Sequence, residues 1–174
     1  MRKTKKLTIS AMCIALGVVF SVLGAVVEVF DMTACALASL LVVFVYIEIG
    51  SPYTWLVWIS TSLLSAICFP GSLIWVEYLV IFGIYPILKA YFERLPRPLW
   101  WPVKLVYINI TIWLLFLACE FILGISFFGG EALWMNILIY AVMNVAFVAY
   151  DIFISVMIRY YLQSFRRKIQ HLLK

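Results

Sequence analysis

Glu77 and Glu120 stand inside long apolar runs, and no basic residue lies near them in the sequence to neutralise them. A carboxylate inside a bilayer is costly unless it is paired or wetted, so both are candidates for holding a ligand. Helical spacing gives them company. Asn109, Trp113, Phe116 and Glu120 fall at i, i+4, i+7 and i+11, one continuous helix face. Asn136, Tyr140, Asn144, Phe147 and Asp151 make a second stripe, and Tyr78 and Tyr85 make a third beside Glu77. Aromatic and amide groups under an acidic mouth (Glu28, Asp31, Glu131) suit a small, partly apolar ligand with a positive group. The candidate binding residues are therefore Glu77, Tyr85, Asn109, Trp113, Glu120, Asn136, Tyr140 and Asn144.

Each of these has a plainer use. Glu28, Asp31 and Glu131 equally fit solvated loop charges. Asn109 and Asn144 fit hydrogen bonds between helices with no ligand. Trp55, Trp75, Trp100, Trp101 and Trp134 fit the aromatic belt at a membrane surface. At the opposite end, Glu48 closes the second apolar run. Asp151 lies about 12 Å before Arg159 at a rise of ~1.5 Å per residue. It either pairs with a basic residue of another helix or sits there uncharged. His171 falls in a basic tail. Cys13, Cys35, Cys68 and Cys119 stand singly in apolar runs with no CxxC pair, so neither a metal site nor a disulfide framework is expected. The sequence contains no HExxH, GxSxG or Walker motif, which leaves no enzyme constellation and no implied cofactor.

The elements that must position these groups follow from composition. Of 174 residues, 67% are hydrophobic and 12% charged, against about 45–50% and about 25% in soluble domains. That is enough apolar sequence for about six bilayer-length helices of ~20 residues. Soluble enzymes, nucleic-acid modules and disulfide-stapled secreted domains are excluded. We read an all-α integral membrane protein with a single domain, 1–174, and six spans at about 7–29, 33–49, 53–69, 73–89, 103–123 and 133–158. Residues 30–32, 50–52 and 70–72 read as tight turns. The stretch 90–102 is basic and proline-rich, so it cannot continue as helix. The other long link is 124–132.

Charge sets the orientation. The 13 basic residues fall in three groups: Arg2, Lys3, Lys5 and Lys6; Lys89, Arg94, Arg97 and Lys104; and Arg159, Arg166, Arg167, Lys168 and Lys174. With the N-terminus inside, all three groups are cytoplasmic, and both termini are expected on that side of a plasma membrane. The net charge of +5 is thereby assigned to the lipid surface and not to nucleic acid. The basic start followed by an apolar run also fits a secretory signal, but five further spans favour an uncleaved first helix.

That first helix opens Lys5-Lys6-Leu7-Thr8-Ile9-Ser10-Ala11-Met12-Cys13-Ile14-Ala15-Leu16-Gly17, in which Ala11 and Ala15 form an AxxxA pair that lets another helix approach closely. With the small size, six spans and N-in topology, the chain resembles the substrate-binding S components of bacterial energy-coupling factor (ECF) transporters. The resemblance implies an S-component-like bundle that captures a vitamin or other micronutrient from outside. It implies a cavity lined by the outer parts of helices four to six. It also implies docking through Ala11 and Ala15 on a T-type membrane subunit that couples to two ATPase subunits. The link after the first helix is short here, so cover for the ligand is expected from 124–132, with Gly129-Gly130 as its hinge. The alternative is a small structural scaffold of the rod-shape-determining type, with the loop between Lys89 and Lys104 as its contact surface. A small autonomous channel ranks third, since no helix carries a strong repeated polar lining.

Overall fold

A computed structural model of the protein describes residues 3–124 and 133–166. Glu131, the expected cover at 125–132 and His171 lie outside those residues, as does the side chain of Glu28. The described chain is helical throughout, with no strand. It runs α1 (Lys3–Val26), a 3-10 turn (Glu28–Phe30), α2 (Asp31–Glu48), α3 (Ser51–Cys68), α4 (Ile74–Glu77), a π turn (Tyr78–Phe82), α5 (Tyr85–Phe92), a second 3-10 turn (Arg97–Leu99), α6 (Trp100–Leu123), α7 (Leu133–Tyr160) and a closing π turn (Tyr161–Phe165).

Five of these stretches are long and apolar enough to cross a membrane, which makes this a multi-pass helical membrane protein. The expected third span is the exception. α3 has 18 residues, but Thr54, Thr61, Ser62 and Ser65 occupy its buried face and lower its hydropathy. It packs against α1 and α2 by that polar face and leaves Leu56, Ile59, Leu63 and Ile67 exposed on the other. Two other expectations need correction. Asp31 and Met32 are not a turn but the first residues of α2, where an acidic side chain complements the helix dipole. The fourth span is not one helix but two, broken between Glu77 and Tyr85.

The break has a local cause. Pro86 has no N–H, so the Phe82 carbonyl loses its intrahelical donor. The Gly83 amide reaches back five residues to the Tyr78 carbonyl, 2.7 Å, which is the π turn. Open carbonyls cannot be left to hydrocarbon, so neighbouring helices must supply donors. Three do. Trp58 Nε1–H of α3 donates to Leu79 O at 3.0 Å, Tyr107 O–H of α6 to Val80 O at 2.5 Å, and Tyr150 O–H of α7 to Phe82 O at 3.0 Å. The break is thus the point where α3, α6 and α7 all grip the fourth span. Tyr150→Phe removes one grip without changing shape. We expect it to cost about 1 kcal/mol, the usual size of an intramembrane hydrogen bond, read as a lowered thermal midpoint in detergent.

α1 packs by small residues. Ser10, Cys13, Gly17, Ser21 and Gly24 are its buried face, which brings its backbone close to α2 and α3. A Cβ on Gly24 would stand 2.4 Å from Ile74 Cδ1 and 2.9 Å from Ala34 Cβ. Ala11 and Ala15 point the other way and are exposed.

The described basic residues gather at one end. Tyr161 O–H donates to Glu48 Oε1 at 3.1 Å, Arg166 lies 3.5 Å from the same oxygen, and Lys6 sits over the Tyr53 ring. The start of α1 and the ends of α2 and α7 therefore meet at one end. Every described lysine and arginine belongs to that end, while Asp31, Glu77 and Glu120 belong to the other.

Candidate functional site

Two polar features sit on either side of the helix break. On the acidic side is a cavity of about 510 Å³ between four elements, within the size range of small-molecule sites, ~300–1,000 Å³. α2 contributes Met32, Thr33 and Ala36, and the broken span contributes Glu77, Ile81 and Phe82. α6 contributes Ile108, Ile112 and Leu115, and a long stretch of α7 from Val142 to Phe153 forms the remaining wall. Among the described residues Glu77 is the one carboxylate on this lining, and no described basic side chain lines it. Glu77 is 8% exposed, and its Oε2 has no hydrogen-bond partner among the described residues.

On the basic side, charges are buried together. Asp151 of α7 is 5% exposed, Lys89 of α5 is 3% and Lys104 of α6 is 4%. Lys104 Nζ lies 2.9 and 3.0 Å from the two Asp151 carboxylate oxygens, Lys89 Nζ bonds Oδ1, and the Tyr85 hydroxyl donates to Oδ1 at 2.5 Å. Glu93, on the rim, lies 3.2 Å from Lys89 and 3.4 Å from Lys104. Two lysines face two carboxylates, so the set is neutral. Its desolvation is offset by short charge-assisted hydrogen bonds to Asp151 from α5 and α6. Of the two readings open for Asp151, pairing with basic residues of other helices is the one found. No set of three or more His, Cys, Asp or Glu side chains able to hold a metal occurs among the described residues.

The residues singled out in the sequence scatter. Glu77 lines the cavity; Tyr85 lies across the break in the ion cluster, stacked 5.7 Å from Tyr107 and edge-on to Phe147 at 4.7 Å. Tyr140 and Asn109 bond each other between α7 and α6, and Asn144 donates to the Tyr140 carbonyl at 2.9 Å. That is the interhelical use read for Asn109, whereas Asn144 bonds one turn back within α7. Trp113, 56% exposed, and Glu120 are on the outer face of α6. Asn136 is half-buried near the start of α7, and its Oδ1 has no hydrogen-bond partner among the described residues. The α6 stripe is therefore rotated away from the cavity, which takes Ile108, Ile112 and Leu115 instead. What sequence reasoning missed is the lysine pair around Asp151. Its signal was Lys104, four residues into an apolar helix.

Comparison with protein-family models, curated proteins and solved structures finds no match to this chain.

Proposed function

We propose that the protein is the substrate-binding membrane subunit of an ECF-type importer, set in a plasma membrane with both termini cytoplasmic. In this reading the acidic end faces outward, which agrees with the gathering of every described basic residue at the other end. The cavity around Glu77 takes a small micronutrient or amine-bearing molecule from outside. Ala11 and Ala15 dock on a T-type membrane subunit, and two ATPase subunits drive release. The chain itself performs no catalysis.

The observation that carries this reading is the cavity, wide enough for a small molecule and furnished with a carboxylate whose Oε2 has no partner among the described residues. A second supports it: α1 spends a different small-residue face on its own bundle and leaves Ala11 and Ala15 free for another helix. Because Ala11 is exposed, Ala11→Trp leaves the fold undisturbed. Affinity purification of the tagged protein from gently solubilised native membranes should recover a T-type subunit and two ATPases, and Ala11→Trp should lose them by tenfold or more. Recovery of cell-wall or cytoskeletal proteins with no ATPase would establish the scaffold instead.

A further inference from the structure

The shape and chemistry of the cavity say more about its ligand than the docking reading does. Its described lining is apolar, with the thioethers of Met32 and Met143, apart from Thr33, Tyr150 and Glu77. An unpaired carboxylate in such surroundings is expensive, and a ligand ammonium would relieve that cost while gaining a charge-assisted hydrogen bond. Asp31, at the start of α2 next to the cavity's Met32, adds negative potential at the same end. No described lysine, arginine or histidine lines the site to receive a carboxylate or phosphate.

The walls are not equally closed. On α6, Ile108, Ile112 and Leu115 are 2%, 0% and 6% exposed. The exposed lining residues are Met32 and Thr33 on α2 and Val142, Ala146 and Ala149 on α7. The opening therefore lies between α2 and α7, kept wide by short side chains at i, i+4 and i+7 of α7. These are residues of membrane-crossing helices, so the opening faces lipid and not only the aqueous end.

We propose that the cavity binds a lipophilic monoamine, which enters from the bilayer between α2 and α7 and places its ammonium on Glu77. This deepens the substrate-binding reading and rests on its cavity, but not on the partner subunits. Glu77 is the specificity-determining residue, and Ala146 marks the doorway.

The test is equilibrium binding of phenylbutylamine, phenylbutanol and phenylbutyrate to the full chain in zwitterionic lipid nanodiscs, with empty nanodiscs as the blank. The amine should bind roughly tenfold more tightly than either analogue. Glu77→Gln, which keeps the side-chain shape, should bring the amine down to the alcohol while alcohol binding persists, which also shows that the variant is folded. Ala146→Trp should weaken all three ligands. Equal binding of the three probes, or an amine preference that survives Glu77→Gln, would overturn the proposal. So would a phospholipid found in the protein by native mass spectrometry that the amine cannot displace. Normal binding by Ala146→Trp would overturn the lateral entry. None of these outcomes touches ATPase recovery, so failure here is distinguishable from failure of the importer reading.

Discussion

Asp151→Ala should be the most damaging single substitution in the protein. It leaves Lys89 and Lys104, both nearly fully buried, with the rim carboxylate of Glu93 as their one remaining acidic partner among the described residues. Breaking a buried ion pair by removing one partner costs about 3–5 kcal/mol, because the remaining charge is stranded. Here two charges are stranded, and the Tyr85 hydroxyl loses its acceptor. We expect a fall in thermal midpoint large enough to deplete the protein from membranes. Lys89→Met should be milder, since Lys104 still holds both Asp151 oxygens. The triple variant Lys89→Met, Lys104→Met, Asp151→Leu should recover much of the loss, because well-packed apolar side chains replace buried charges at little cost. A series of thermal melts in one detergent ranks the variants. An unchanged midpoint for Asp151→Ala would mean that the cluster is wetted and not a structural lock.

The second large effect is expected at Gly83, in the break itself. A Cβ there would fall 2.6 Å from Trp58 Cδ1 and 2.8 Å from the Tyr78 carbonyl oxygen. The indole can move, but only by giving up its hydrogen bond to Leu79 O. The carbonyl oxygen is backbone and is already engaged by the Gly83 amide. Overpacking of this kind costs about 1–3 kcal/mol, and a freed carbonyl inside the bundle adds about 1–3 kcal/mol more. Gly83→Val should therefore destabilise strongly, and Gly83→Ala somewhat less. Gly71 is the internal control. Nothing lies within 4 Å of a Cβ placed there, so Gly71→Ala should stay within about 0.5 kcal/mol of the parent. With the other six tryptophans replaced by Phe, a shifted Trp58 emission maximum in Gly83→Val, with none in Gly71→Ala, would tie the effect to the displaced indole.

The two sites meet at the broken span. Ile81 and Phe82 wall the cavity, and the next turn carries Tyr85 and Lys89 into the ion cluster. The grip of Trp58, Tyr107 and Tyr150 on the intervening carbonyls holds these features in fixed register. A polar break inside a membrane bundle survives only where side chains re-satisfy its backbone, as happens here.

The sequence by itself determined the class of protein. Apolar runs of bilayer length admit only helices, because every backbone group must be paired within its own segment. Hence the helix positions at α1, α2, α6 and α7 were legible to within a few residues. The third span was legible as a helix but not as a polar-faced one, since serine and threonine hide their hydroxyls on their own helix, as Ser62 does with the Trp58 carbonyl at 2.9 Å. Tertiary structure alone decided which face of each helix turned inward. In a soluble protein water pulls polar stripes outward and so marks the faces. In lipid both faces are apolar, and that signal is weak. The stripe through Asn109 and Trp113 therefore does not face the cavity: Asn109 pairs with Tyr140 between α6 and α7, while Ile108 and Ile112 line the cavity. Asp151 found its lysines across 62 and 47 residues of sequence, a distance over which spacing carries no information and only packing brings charges together.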